Sequence, residues 1–229
     1  MAYTWHFEAI AQYQEAFARG LFVTLELSLL AIAIALVLGT ILGVARVFFP
    51  NKRVRQAIGA LIEMLRALPK IVAMVWIFYA FPTLSGIQLP GFESALAALA
   101  LISSAFVAEI VRGGIEAIPK GQIEAAEVLG MNRMQIITSI VLPQVFMMNA
   151  PAFMGEFTTS IKDSTLAVII GVNELLHSTS TAATISYRPM ELYTALGLLF
   201  LLVILPLSLL SKRLEFKEMV KARRTMKKQ

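Results

Sequence analysis

A long apolar run, LFVTLELSLLAIAIALVLGTILGVA, occupies Leu21–Ala45, and Glu26 is its single charged residue. This run is longer than the roughly 20 residues that an α-helix needs to cross the hydrocarbon core of a bilayer. The whole chain of 229 residues is similar in character, with 58% hydrophobic residues, 15% charged residues and a mean hydropathy of +0.74. Soluble domains carry about 25% charged residues. The sequence therefore predicts an all-α integral membrane protein.

Four further apolar segments follow this run along the chain. The five predicted spans are 21–45, 57–81, 92–111, 134–158 and 190–210. Segment 159–172 contains an apolar stretch too short to span alone, so we predict a broken or re-entrant element beside a cavity. Residues 1–19 lack the pattern of a signal peptide and are predicted to be an extracytoplasmic tail. Residues 216–229 are predicted to form a basic cytoplasmic tail.

The positive charges predict the orientation of these spans. Alternate connections carry fifteen of the twenty Lys and Arg residues, and such connections face the cytoplasm. The N-terminus is therefore predicted outside and the C-terminus inside. Because topology accounts for the net charge of +5, a nucleic-acid partner is not predicted, and the basic clusters are expected to touch anionic lipid headgroups.

The sequence lacks the residues that several classes of chemistry require. The chain has no cysteine and two distant histidines, His6 and His177, so no metal site is predicted. No Gly-x-Ser-x-Gly nucleophile is present for an intramembrane protease. No G-x-x-x-x-G-K-[ST] loop is present, so nothing in this chain is expected to bind ATP. The sequence therefore predicts that this chain is not an enzyme.

A polar segment precedes the fourth span. Gln122 to Leu129 is predicted to be a short helix that Gly130 ends, because glycine adopts the left-handed conformation at least cost. Asn132 is predicted to cap the helix that follows. By itself, the short helix at about 122–130 fits either an ordinary amphipathic helix at the membrane surface or a docking element for a partner.

The spacing of residues in this segment resembles the "EAA" loop of permease subunits of bacterial ATP-binding-cassette (ABC) importers. The matching positions are Glu124, Ala125, Ala126, Gly130, Ile140, Leu142 and Pro143. The resemblance implies the fold of a type I importer over residues 20–215, with the short helix seated in a groove of a separate ATPase. ATP and Mg²⁺ would then belong to that partner.

Other stretches resemble the polar amino-acid branch of these permeases: FVAEIVRGGI at 106–115, PKGQ at 119–122 and IKDSTLAVIIGVNEL at 161–175. This branch implies an ATPase dimer, a second permease subunit (a copy or a paralogue), an external substrate-binding protein and a bacterial inner membrane. The implied cargo is a polar or charged amino acid, with glutamate/aspartate or glutamine favoured over arginine or histidine. The alternative function is a secondary transporter or channel that works without ATP.

One stretch departs from the branch. Residues 65–73 read LRALPKIVA, where the branch has a small polar pair before the proline and an apolar residue after it. Glu63, Arg66 and Lys70 are spaced to share one helix face. Arg66 and Lys70 could line the substrate path, pair with another subunit, or extend to the membrane surface.

Charged residues around the fourth span are the other candidates for the substrate path. Glu156 or Asp163 could accept the ammonium of an amino acid, and Lys162 with the hydroxyls of Ser164 and Thr165 could bind its carboxylate. Lys162 and Asp163 could instead neutralise charges on neighbouring elements. Glu109 lies three residues before Arg112, and we predict a structural ion pair between them.

Overall fold

The computed structural model describes residues 4–226, without the side chains of Ala9 and of 216–226. Residues 1–3 of the predicted outer tail and residues 227–229 of the predicted basic tail lie outside the described residues. The basic side chains of that tail, at Lys217, Lys221, Arg223 and Arg224, are likewise not described. Across residues 4–226 the regular structure is entirely helical, which agrees with the predicted all-α class.

Within residues 4–226, ten helices follow one another in chain order. They are α1 (Glu8–Gln12), α2 (Gln14–Phe48), α3 (Lys52–Ala67), α4 (Lys70–Ser85), α5 (Gly91–Glu116), α6 (Lys120–Val128), α7 (Arg133–Met148), α8 (Ala150–Asp163), α9 (Leu175–Ser186) and α10 (Pro189–Met226). A 3₁₀ segment, Ser164–Ile170, extends α8 directly.

Helix ends coincide with residues that disfavour helix. Asn51 follows α2, and its side-chain oxygen accepts a hydrogen bond from the Arg53 N–H at 2.9 Å at the start of α3. Helix α3 ends before Pro69, which has an extended ψ of 130°. A proline disfavours helical conformation at the residue before it, so the chain breaks at this point.

The candidate spans agree only in part with the prediction. Three of the described helices are long and apolar enough to cross a membrane, namely α2, α5 and the Pro189–Glu215 part of α10. The predicted second span, 57–81, is not one helix, because the break at Pro69 divides it between α3 and α4. The number of five spans and their orientation therefore stay predictions.

The predicted fourth span is bent. Arg133–Met148 and Ala150–Ile170 form a pair of helices that meets the requirements for one span with a bend of 62°. The bend lies at Asn149, whereas the sequence indicated a break after Pro151 and Gly155. The predicted broken segment also begins later than residue 159, since α8 stays regular to Asp163 before the chain tightens into the 3₁₀ turn.

The chain divides into two compact units. The first unit consists of Met1–Ala33, Leu68–Leu101 and Phe157–Leu207. One of its buried clusters joins α2, α4, α5 and the 3₁₀ segment. That cluster contains Leu27, Ala31, Met74, Ala95, Ala98, Leu99, Ala167, Ile170 and Val172. A second buried cluster joins α2, α9 and α10.

The second unit consists of Ile34–Ala67, Ile102–Glu156 and Ser208–Gln229. Glycine lets α2 and α5 approach closely within it. A Cβ atom built on Gly39 would lie 2.5 Å from the Cβ atom of Val107, and one on Gly43 would lie 2.7 Å from the carbonyl oxygen of Ala108. Small residues at such contacts are typical of helix packing in membranes, because dispersion contacts depend on close approach of the backbones.

Candidate functional site

The segment that carries the "EAA" pattern contains the predicted short helix. Helix α6 spans Lys120–Val128, two residues earlier than the predicted 122–130. Gly130 ends it with φ +78°. The Gly130 N–H donates to the Glu127 carbonyl at 3.0 Å, and the Met131 N–H donates to the Ala126 carbonyl at 3.1 Å. These bonds satisfy carbonyls that the end of a helix would otherwise leave without donors.

The predicted cap at Asn132 is also present. Its side-chain oxygen accepts from the Gln135 N–H at 2.9 Å, while the Gln135 side chain accepts from the Asn132 N–H at 2.8 Å. This reciprocal capping box begins α7 two residues after the glycine turn. The Arg133 guanidinium donates to the Phe48 carbonyl at 2.8 Å and so ties the turn to the end of α2.

A side-chain hydrogen bond fastens α6 to α7, and the sequence reasoning missed it. The Gln144 amide donates to the Gln122 side-chain oxygen at 2.9 Å and to the Ile140 carbonyl at 2.8 Å. Two glutamines that are 22 residues apart carry no local signal of pairing. Helix α6 is therefore joined to α7 by a side-chain contact as well as by a short turn.

Helix α7 contains a wide π turn, Ile136–Val141, directly before Pro143. Proline has no N–H and its ring clashes with the carbonyl one turn back, and a π turn relieves both problems locally. Val141 is fully buried, while Pro143 is exposed. The Ile-x-Leu-Pro part of the pattern therefore specifies the shape of α7, with Ile140 and Leu142 half-buried.

The outer surface of this segment combines acidic side chains with uncovered apolar residues. Glu124 and Ala125 are exposed, whereas Ala126 is 2% exposed and packs inside the protein. We expected both alanines to be available for close packing with a partner, but of the two Ala125 is exposed and Ala126 is not. Val128, Leu129 and Met134 are 87%, 80% and 68% exposed. The sequence reasoning missed these three residues, which together with Glu124 and Ala125 form what we call the loop surface.

In the first unit, Lys70 and Asp163 form an ion pair. The Lys70 ammonium lies 2.6 Å from Oδ2 of Asp163, although the residues are 93 positions apart in the chain. Their side chains are 12% and 24% exposed. Lys70 is the first residue of α4 and Asp163 is the last of α8. Two of the residues that were predicted as candidates for the substrate path are therefore in contact.

The neighbours of Asp163 have different environments. Lys162 is exposed, so its ammonium is accessible. The Ser164 hydroxyl is buried and donates to the Ile161 carbonyl at 2.8 Å, and the Thr165 hydroxyl donates to the Lys162 carbonyl at 2.7 Å. Each hydroxyl has one hydrogen to donate. In this conformation both hydroxyl hydrogens are committed to the end of α8, so neither is available to a substrate carboxylate.

Arg66 belongs to a different environment, in the second unit. Its guanidinium lies 3.3 Å from the Glu63 carboxylate and 5.4 Å from the centre of the Phe106 ring. The expectation that Glu63, Arg66 and Lys70 share one helix face is wrong, because the break at Pro69 places Lys70 on the next helix. Glu156, also in the second unit, is half-buried on α8.

An ion network joins α2, α3 and α5 within the second unit. Glu109 pairs with Arg112 at 3.0 Å, as predicted, and its other oxygen contacts Arg46. Arg46 also lies 3.8 Å from Glu63, and Arg112 lies 2.6 Å from Glu116. The sequence shows the Glu109–Arg112–Glu116 spacing of one helix face, but the role of Arg46 is non-local.

Glu174 is a buried carboxyl between the 3₁₀ segment and α9. It is fully buried and accepts from the N–H groups of Leu176 and His177, each at 2.8 Å, as the N-cap of α9. Burial raises the pKa of Glu174 to about 7, against the opposing effect of these two hydrogen bonds. The folded pKa lies above the ordinary value of 4.5, so the unfolded chain releases this proton first. Stability is therefore expected to fall as pH rises from about 4.5 to 7.

The described side chains contain no group of three or more His, Cys, Asp or Glu residues placed to hold a metal ion.

Comparisons with known proteins identify the family. The family model described as "Binding-protein-dependent transport system inner membrane component" matches residues 9–218. The probable glutamine ABC transporter permease protein GlnP of Bacillus subtilis (strain 168) is 33% identical over 203 residues, which cover 87% of this chain and 92% of that protein. The arginine transport system permease protein ArtQ of the same strain is 31% identical over 200 residues, covering 86% and 90%. The glutamate transport system permease protein GluD of Corynebacterium glutamicum (strain ATCC 13032) is 32% identical over 200 residues, covering 86% and 72%.

Solved structures agree with this result. An amino acid ABC transporter crystallised with histidines has a TM-score of 0.82 and 30% identity, and the match covers 94% of this chain and 100% of that chain. The MetNI methionine ABC transporter, at 21% identity and a TM-score of 0.76, shares the fold. The chain belongs to the family of binding-protein-dependent transport system inner membrane components. It is a transport subunit of an inner membrane, and the predicted family and permease fold are confirmed.

Proposed function

We propose that this chain is the membrane-spanning subunit of an ABC importer that carries a polar amino acid, with ATP hydrolysis on a separate partner. The three relatives named above are permease proteins for glutamine, arginine and glutamate, which supports amino acids as the cargo class. A substrate-binding protein outside the cell and a second permease, either a copy or a paralogue, complete the proposed assembly. Uptake of glutamate/aspartate or glutamine is favoured over that of arginine or histidine.

The loop surface is the observation that carries this proposal. Val128 and Leu129 expose 87% and 80% of their area at the end of a helix that also exposes Glu124. Apolar side chains in a polar connection are favourable when a partner covers them. An ATPase groove with a basic residue opposite Glu124 would bury the apolar residues and pair the acid.

The joints around α6 explain how a docked partner could move the spans. The Gln122–Gln144 hydrogen bond, the turn at Gly130 and the capping box at Asn132 hold the short helix to α7. A displacement of α6 would therefore be passed to α7 and would not be absorbed by a slack loop. We propose that this rigid attachment converts ATP-driven motion of the partner into alternating access.

The first unit supplies charges suited to an amino acid in transit. Asp163 offers carboxylate oxygens to an α-ammonium, and the exposed Lys162 offers donors to an α-carboxylate. Ion sites at the ends of broken helices near the middle of the membrane are typical of transporters. We propose that Lys70, Lys162 and Asp163 line the path, with Thr165 beside them.

The first test is co-purification and turnover. The tagged chain is expected to bring down an ATPase subunit, and ATP hydrolysis in proteoliposomes is expected to rise when the loaded binding protein is added. The variant Glu124→Ala should keep its basal hydrolysis while losing at least about 80% of the stimulation and of amino-acid uptake, because the partner loses its anchoring charge.

Glu127→Ala is the matched control. Glu127 is exposed on the same helix, three residues further along, and lies outside the "EAA" pattern. It should retain stimulated hydrolysis close to that of the unmodified complex. Equal losses in the two variants, or full stimulation in Glu124→Ala, would contradict the docking role. Uptake that continues without an ATPase and follows an ion gradient would identify a secondary transporter instead.

A further inference from the structure

The Lys70–Asp163 ion pair includes a lysine that is unfavourable on its own helix. Lys70 places a cation at the first residue of α4, and Asp163 places an anion at the last residue of α8. A helix carries partial positive charge at its N-terminus, so Lys70 opposes its local field, whereas a 3₁₀ segment continues the helix beyond Asp163 to Ile170. Local helix energetics therefore do not account for Lys70, whereas its contact with Asp163 at 2.6 Å compensates for its position.

Packing does not require this pair either. The start of α4 and the 3₁₀ segment that follows α8 meet in the apolar cluster around Met74 and Ala167. Replacing a buried ion pair by apolar side chains of similar volume is often neutral or stabilising. The pair thus has a cost that the fold alone does not need, which is the pattern expected of a residue kept for function.

The consequence for a passing ligand is electrostatic. An unpaired, partly accessible carboxylate at Asp163 would attract a cationic side chain such as a guanidinium. Lys70 already neutralises that carboxylate, and the adjacent Lys162 adds an exposed positive charge. With two lysines and one aspartate, the three residues carry a net charge of +1 in their ordinary ionisation states.

We propose that Lys70 sets the charge selectivity of the translocation path. It is an internal counter-ion of Asp163, and it makes the path accept anionic and neutral polar amino acids while disfavouring cationic ones. This inference rests on the proposed function, and it deepens that function by naming the substrate class. All amino acids share the α-ammonium and α-carboxylate, so the discrimination concerns the charge of the cargo's side chain.

The test measures binding to the purified complex of this chain with its ATPase, without the binding protein, whose own preference would otherwise decide the result. The probes are radiolabelled L-glutamate, L-glutamine and L-arginine. The unmodified complex should bind glutamate or glutamine at least about tenfold more tightly than arginine. This is the effect of one unit charge at about 10 Å in a medium of effective dielectric constant about 20.

Four variants separate charge from packing. Lys70→Met and Lys70→Gln remove the charge and should shift the arginine-to-glutamate affinity ratio at least about tenfold towards arginine. Lys70→Arg keeps the charge and should keep the original ratio. The double variant Lys70→Met/Asp163→Asn removes the acceptor as well, so it should not gain arginine binding.

The inference is overturned by any of three results: an arginine-to-glutamate ratio that changes less than twofold in Lys70→Met and Lys70→Gln, a preference of the unmodified complex for arginine, or no amino acid bound by that complex. If these neutral variants do not assemble, competition between arginine and glutamine on the unmodified complex decides the matter. Failure of the proposed function gives a different result, namely no co-purified ATPase and no amino acid that stimulates ATP turnover.

Discussion

Removal of the Glu109 carboxylate should be far more damaging than removal of Glu116, although both acids pair with Arg112. Glu109 is 16% exposed and bridges Arg112 and Arg46, whose side chains are 28% and 23% exposed. In Glu109→Gln, the acidic side chain left beside Arg46 among the described residues is Glu63, at 3.8 Å. Breaking a buried ion pair typically costs 3–5 kcal/mol. Partial solvent exposure and the remaining partners reduce this, so we expect a loss of about 2 kcal/mol.

Glu116→Gln provides the comparison. Glu116 lies 2.6 Å from Arg112, but its side chain is 58% exposed. Exposed pairs contribute about 0–1 kcal/mol, so this variant should lose less than about 1 kcal/mol. For a chain of this size, 1 kcal/mol corresponds to about 2–4 °C in the midpoint of thermal unfolding. The midpoint of the detergent-purified complex should therefore fall by about 4–8 °C for Glu109→Gln and by at most about 4 °C for Glu116→Gln.

If distance alone determined these energies, Glu116→Gln would destabilise the protein as much as Glu109→Gln. Equal shifts in the two variants, or an unchanged midpoint in Glu109→Gln, would refute the view that burial makes this network stabilising. The double variant gives a further check. Because the two acids share Arg112, their effects should not add, and the double variant should differ from the sum by about 0.5 kcal/mol or more.

Two further predictions concern packing and pH. Gly39→Ala should destabilise the protein by about 1–3 kcal/mol, because its Cβ would lie 2.5 Å from that of Val107. Gly113→Ala meets no atom within 4 Å and should be neutral or stabilising, so similar melting shifts in both would contradict the close-contact argument. Glu174→Gln should lose the fall in thermal stability between about pH 4.5 and 7, a fall of at most about 3 kcal/mol for a pKa of about 7. Glu174→Gln melting curves that keep the pH dependence of the unmodified protein would exclude Glu174 as its source.

Features set by neighbouring residues could be predicted from the sequence. The apolar runs identified the membrane class, since burying so much apolar surface in water is unfavourable and a run of about 20 residues matches the bilayer. Gly130 and Asn132 located the end of α6 and the start of α7, because a left-handed turn and a side-chain cap depend on one or two residues. The Glu109–Arg112 pair followed from helical spacing alone.

The π turn before Pro143 illustrates the limit of such reasoning. The sequence shows that a proline disturbs α7, but kinking, breaking and π-turn formation all relieve that disturbance. Which one occurs depends on what surrounds the helix, and Val141 and Val145 are fully buried on either side of Pro143. The sequence placed the bend of this span after Pro151 and Gly155, whereas it lies at Asn149, and its position likewise depends on what surrounds the helix.

The amino-acid sequence was enough to predict a membrane permease with a glycine-ended helix in a polar connection. Which charges on different helices meet depends on tertiary packing. Lys70 does not share a helix face with Glu63 and Arg66 but pairs with Asp163, 93 residues away. Arg46 contacts Glu109, which is 63 residues away. The difference lies in the separation of the interacting residues along the chain, since caps, turns and spans follow from contacts within a few residues. The partner of a charge at a helix end depends on how whole helices pack.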